Sequence, residues 1–193
     1  MASNPVSKIS EEEYLAIDRA AEFRSEFIDG EIFAMSGGTL LHSLIQGNLF
    51  AELHLALRTS PCRPFGSDSR VRVSSRACVY PDVTVVCGQQ QPFDDHDDIL
   101  TKPVAIFEVL SPSTEKYDRG LKSRLYRSID SLRDHVLVDQ EQVWVEQYSR
   151  QENGIWTLRE YGSPDEELKI EFIGVAIPLR RIYERTSILG ATG

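Results

Sequence analysis

Residues 103–110 read PVAIFEVL, a short run that is apolar except for Glu108. Such a run is the signature of a buried strand. A carboxylate inside it, with no basic neighbour, costs several kcal/mol unless it finds a partner, a metal or a proton. Whatever fold the chain adopts must therefore bring something to Glu108. A second apolar run, DVTVVC, begins on Asp82. Strand alternation puts Glu108 on the face of Ile106 and Leu110, and Asp82 on the face of Thr84 and Val86. Two adjacent buried strands would aim both carboxylates at one point, which is how an oxygen-ligand site for Mg²⁺ or Mn²⁺ is made. Taken singly, each acid has a plainer reading: Asp82 as a cap after Pro81, Glu108 as a carboxylate bonded to backbone.

The remaining pattern mixes helices and strands without strict alternation. SEEEYLAI opens a helix, with Ser10 as N-cap and Glu13 completing a capping box. FRSEFIDGEIFAMS reads as a hairpin turning at Asp29-Gly30. LLHSLIQGNLFAELHLALR is a long helix with Leu41, Leu44, Ile45, Leu49, Leu53 and Leu57 on one face. CRPFGSDSRVRVSS gives one or two strands, and residues 88–102 a polar loop. YDRGLKSRLYRSI is a helix with Leu121, Leu125 and Ile129 inward. DHVLVD, QVWVEQYSR, IWTLREY and LKIEFIG read as strands, and PLRRIYER as a short closing helix. Residues 1–7 read as a disordered tail and 8–193 as a single domain. This order fits a mixed sheet flanked by helices.

Asp118, Lys122 and Tyr126 stand at i, i+4 spacing in the YDRGLKSRLY helix. Lys122 lies one position from the expected apolar stripe, so its ammonium can curl toward the sheet, or pair with Asp118 on the surface. SPST (111–114) offers hydroxyls but no histidine in a fixed local arrangement, so it makes no nucleophile case. The glycine pair after Ser36 is too short for a phosphate loop and reads as a linker.

YPDVTVV (80–86), followed by PVAIFEVLSPSTEKYDRGLKSRLY (103–126), resembles the PD-(D/E)XK nuclease superfamily. Within it, the sequence resembles the restriction-endonuclease family abundant in cyanobacteria, over roughly residues 8–185. FIDGEI and the helix bearing His42 agree with that family's N-terminal part. The resemblance implies an α/β (α+β) fold, with a restriction-endonuclease-like mixed β-sheet flanked by helices. It also implies metal-dependent hydrolysis of phosphodiester bonds, with DNA as substrate and Mg²⁺ or Mn²⁺ as cofactor. The superfamily places a lysine two residues after the second carboxylate. Leu110 stands there, so the resemblance implies a migrated lysine, Lys122. The expected site is then Asp82, Glu108 and Lys122, with Glu31 and His42 as weaker members of the same cleft. The carbonyls of Val109 and Leu110 are candidate further metal ligands. SLRDHVLVD and the acidic DDHDD loop (94–98) depart from the family pattern, which bears on substrate contacts more than on the metal site.

Net charge is −9, which argues against a sequence-independent DNA coat but leaves local patches to decide. Five arginines lie between Arg58 and Arg76, and six bases between Lys116 and Arg133. Arginines from 58–76 or from 119–133 are expected to flank the cleft, because phosphate contacts need local bases. Cys62, Cys78 and Cys87 have no CxxC spacing, so neither a disulfide framework nor a zinc site is signalled. No run is long enough for a membrane helix and the N-terminus lacks a signal core, so a cytoplasmic protein is expected. A homodimer is expected by analogy with the family. The competing readings are a catalytically silent module binding nucleic acid or a protein, and a structural dimer pairing through QVWVEQYSR.

Overall fold

The computed structural model describes residues 8–35 and 37–190, so the expected tail and Ser36 lie outside the described residues. The chain opens with α1 (Glu11–Ala20), the hairpin β1 (Ser25–Ile28) and β2 (Glu31–Ala34), and the long α2 (Leu40–Ala56). Strands β3 (Cys62–Gly66), β4 (Arg70–Ser74), β5 (Ala77–Val79), β6 (Val83–Cys87), β7 (Ile99–Leu100) and β8 (Pro103–Leu110) follow. Next come α3 (Glu115–Tyr117), a π-helical turn over Asp118–Lys122, and α4 (Ser123–Arg127). The chain continues through β9 (Asp134–Asp139), β10 (Val145–Arg150), β11 (Trp156–Tyr161), β12 (Glu167–Ile170), β13 (Val175–Pro178) and α5 (Leu179–Ile182).

A six-stranded sheet runs β11-β10-β9-β8-β6-β3. Its β8–β9 pair is parallel and the other pairs are antiparallel, so the sheet is mixed. A second sheet runs β2-β1-β5-β4-β7, and β12 pairs with β13. Helices α2 and α5 cover one face of the large sheet, where Ile45, Leu49 and Leu53 pack with Val85, Phe107 and Val136. On the other face Ile106 and Val86 meet Tyr126, Ile129 and Leu132, together with Val71 and Val79 of the second sheet. Strand β8 is thus buried along its whole length.

Local chemistry accounts for the N-terminal elements. The Glu13 N–H donates to Ser10 Oγ at 3.1 Å and the Ser10 N–H donates to Glu13 Oε2 at 2.7 Å, completing the capping box. Asp29 and Gly30 both have positive φ, 52° and 90°, as a two-residue hairpin turn needs. In α2 the buried stripe is Ile45, Leu49 and Leu53 continuing to Leu57, while Leu41 is partly buried and Leu44 is 38% exposed at the flank.

Several expectations change. Strands β5, β7 and β13 are too short to show as strand-length apolar runs. QVWVEQYSR cannot be an edge, because its strand β10 is paired on both sides; β11 is the edge. Cys62 and Cys87 form a disulfide, since they are direct register partners in β3 and β6. Pairing across strands 25 residues apart is a matter of register, which spacing rules do not see. Among the described residues no helix is long and apolar enough to cross a membrane.

Candidate active site

Strand pairing places the two acids. In the antiparallel β6–β8 pair Val83 lies opposite Phe107, so the residue before β6, Asp82, arrives opposite Glu108. The ladder ends there in side-chain bonds. The Asp82 N–H donates to Glu108 Oε2 at 3.3 Å, and the Val109 N–H donates to Asp82 Oδ2 at 2.7 Å. Pro81, which lacks an N–H, directly precedes this change of partners.

Lys122 is buried at 5% exposure, and its Nζ lies 2.9 Å from Glu108 Oε1 and 3.1 Å from Glu26 Oε1. Asp118 Oδ1 is farther, at 3.8 Å. The expected apolar stripe is corrected here. Asp118, Lys122, Ser123, Tyr126 and Ile129 are the buried residues, whereas Leu121 and Leu125 are only half-buried. The π turn over Asp118–Lys122 rotates the segment, and the inward polar groups each find a buried partner. Tyr126 donates to Glu108 Oε1 at 2.5 Å. Asp118 is therefore part of the cleft and not a surface partner of Lys122.

Two of the weaker candidates part company. His42, on the first turn of α2, lines the cleft with its Nε2 3.2 Å from Asp82 Oδ2. Glu31 does not reach the cleft: it is exposed at the turn end of the hairpin, opposite Ile28. The acid that arrives from this hairpin is Glu26 on β1, which the sequence reading missed. Glu26 is 4% exposed, accepts from the Tyr80 N–H at 3.1 Å and the Tyr117 hydroxyl at 2.6 Å, and pairs with Lys122. Its context gave little signal, because SEFI is half polar although all four residues are buried.

Three carboxylates, from Glu26, Glu108 and Asp118, thus surround one ammonium, and a fourth, Asp82, stands opposite Glu108 and meets His42. Burial pushes the Glu108 carboxyl upward, with Asp118 and Asp82 adding to it and Lys122 opposing. Burial also raises Asp118, again against Lys122. For Lys122 burial favours the neutral amine, but Glu108, Tyr126, Glu26 and Asp118 outweigh it and hold the ammonium well above its usual range. Burial lowers His42, yet the hydrogen bond and charge of Asp82 carry it above its usual value.

The cleft has a volume of about 540 Å³, with Asp82, Glu108, Asp118 and Lys122 among its walls. Among the described residues no arginine lines the cleft itself, although Arg70 of the 58–76 segment lines the depression that adjoins it. The arginines of 58–76 are largely engaged elsewhere: Arg70 with Asp18 and Asp98, Arg72 with Glu11, and Arg76 with Asp29. The DDHDD loop explains part of this, because Asp94 and Asp98 bind Arg19 and Asp98 also binds Arg70. Arg119 is tied to Glu115 and Glu146, away from the cleft lining.

Among the described residues no group of three or more His, Cys, Asp or Glu side chains is gathered to hold an ion by itself. Asp82 and Glu108 nonetheless fit a Mg²⁺-type ion, which takes one or two carboxylates and completes its shell with water and substrate phosphate. The excess of buried negative charge favours a cation at this point.

A mixed sheet with two strand-borne acids and a helix-borne lysine defines a protein of the restriction-endonuclease-like fold. A crystal structure from Anabaena variabilis, described as a "putative nuclease", shares the fold with TM-score 0.74 at 20% identity, covering 91% of this chain and 97% of that one. Residues 11–180 match the family Uma2, described as "Putative restriction endonuclease", and the chain belongs to that family. It is 36% identical over 182 residues to the uncharacterized protein slr1290 of Synechocystis sp., covering 94% of each chain. It is 32% identical over 164 residues to sll1609 of the same organism, also uncharacterized, covering 84% of this chain and 93% of that one.

Proposed function

We propose that this member of the family is a metal-dependent nuclease that hydrolyses the phosphodiester bonds of DNA. The observation that carries the reading is an excess of buried acid: the Glu108, Glu26 and Asp118 carboxylates lie about one buried ammonium, with Asp82 opposite Glu108, at the wall of an open cleft. Asp82 and Glu108 would hold Mg²⁺ or Mn²⁺, with the Val109 carbonyl as a further ligand. The ion supplies polarisation of a phosphoryl oxygen and a bound water of lowered pKa. Lys122, fixed between Glu108 and Glu26, orients the attacking water and offsets charge growing on the phosphate. His42 donates from Nε2 to Asp82 and fixes the orientation of that carboxylate. Tyr126 does the same for Glu108.

The test is cleavage of plasmid and single-stranded DNA with Mg²⁺ or Mn²⁺. Wild-type protein should cut, and Asp82→Asn should lose at least about a hundredfold in rate, as removal of a group stabilising transition-state charge does. A wild-type protein inert on every substrate would leave the second reading, a silent nuclease-fold module that binds nucleic acid or a protein. The arginine-free cleft lining is the observation that favours that alternative.

A further inference from the structure

A second depression, of about 660 Å³, opens directly from the cleft and shares Met35, Gly37, Ser67 and Tyr80 with it. Both volumes lie within the roughly 300–1,000 Å³ of small-molecule sites. Its outer wall is Phe23, 81% exposed, beside Arg24, whose guanidinium stands 5.6 Å over the Tyr80 ring. The neighbouring strand β2 is exposed along its whole length. Phe33 is the register partner of Glu26, so it shares the hairpin face that turns toward Lys122. Phe23 and Met35 make an apolar rim to this depression, and Met35 also lines the cleft.

We infer that this rim receives an unpaired nucleobase next to the scissile phosphate, so that the substrate class is single-stranded or flap-ended nucleic acid. The inference rests on the nuclease reading above and deepens it. A phosphate seated at Asp82, Glu108 and Lys122 carries a sugar and base into the adjoining depression. Exposed aromatic faces with a nearby guanidinium take bases by stacking, whatever their sequence. Bases inside a duplex have no free face to offer. A cleft without arginines neutralises few phosphates, so binding here depends on bases more than on backbone charge. Arg24, paired with Asp68 at the surface, is the cation nearest the rim.

The test uses the full-length protein, without divalent metal, and fluorescence anisotropy with three labelled probes: an oligothymidylate, the same strand made abasic, and a duplex of equal length. The base-bearing strand should bind tightest. Phe23→Ala should weaken it by at least about fivefold, the lower bound for one stacked base. Phe23→Trp should restore binding, and the abasic strand should not respond to either change. Phe23 is exposed, so neither substitution threatens folding. Equal affinity for abasic and base-bearing strands would overturn the inference. So would a dimer that dissociates in Phe23→Ala, because the rim would then belong to a second copy of this chain. A strand bound through its bases but never cut with metal would overturn the nuclease reading and leave only the base-stacking role of Phe23 standing.

Discussion

Two clusters of buried charge lie side by side in this protein, and Tyr80 touches both. Its hydroxyl donates to Asp18 at 2.5 Å, while its backbone N–H donates to Glu26 at 3.1 Å. In the first cluster Asp18 meets Arg70 at 2.6 Å, and Asp98 is shared by Arg70 and Arg19. Acids and guanidiniums there are nearly matched. In the second, three carboxylates share Lys122. The carboxyl groups respond in opposite directions. Burial pushes Asp18 up, but hydrogen bonds from Tyr80, Arg70 and Ser25 bring it below its usual value. Burial pushes Glu108 and Asp118 up and is not overcome. Equal burial of charge can thus serve stability in one place and function in the next. What separates them is whether the protein supplies the counter-charge or leaves it for a ligand.

Removing the most buried cation of each cluster probes this most strongly. Arg70→Ala should cost about 3–5 kcal/mol, because it strands the buried Asp18, while Asp98 keeps Arg19. Cleavage by the folded fraction should survive. Lys122→Met should cost a similar amount at neutral pH and abolish cleavage as well. Lys122 and Asp118 are both buried, so replacing either carries a stability cost that an exposed residue would not. Denaturant melts beside cleavage rates read both variants. Activity lost in both would erase the distinction between the clusters.

Neutralising one acid in each cluster should give opposite signs. Asp18→Asn should lower stability by about 1–3 kcal/mol, since it weakens charged hydrogen bonds. Glu108→Gln should leave stability unchanged or raise it by up to about 1 kcal/mol, while ending cleavage. Melting curves of the two metal-free variants at neutral pH decide it. If both fall by the same amount, the Glu108 carboxylate is a structural ion like Asp18.

The pH response sharpens the same contrast. Asp18 has a depressed native pKa, so its contribution is full above the unfolded value near 3.8 and is lost as pH falls through its lower native value. Glu108 has a raised native pKa, so the native state binds the extra proton. Its contribution is full below the unfolded value near 4.5 and fades as pH rises above it. The metal-free wild type should therefore lose stability from this group between mildly acidic and neutral pH. Glu108→Gln should flatten that slope in melts taken across the range. The smallest effect belongs to Glu31→Gln, which should stay within about 0.5 kcal/mol of wild type and cut normally. A large drop in cleavage would return Glu31 to the site in place of Glu26.

Much of this was legible in the chain itself. PVAIFEVL fixes a buried strand with an acid needing company, the S-x-x-E box opens α1, and Asp29-Gly30 turns the first hairpin. Each is a local rule that acts within a few residues. The pairing of Asp82 with Glu108 was approachable because both acids interrupt apolar strands. Tertiary structure alone decided the rest. Glu26 and Glu31 lie on one face of the hairpin, and only the packed fold decides that Lys122 meets Glu26 while Glu31 stays exposed at the turn. The Cys62–Cys87 bond follows from strand register across the sheet. The inward turn of Lys122 follows from the π turn, where buried polar partners outweigh the leucine periodicity. The arginines that composition offered to a phosphate are held by Asp18, Asp98 and Glu11, because charges distant in sequence choose their partners only after the chain has folded.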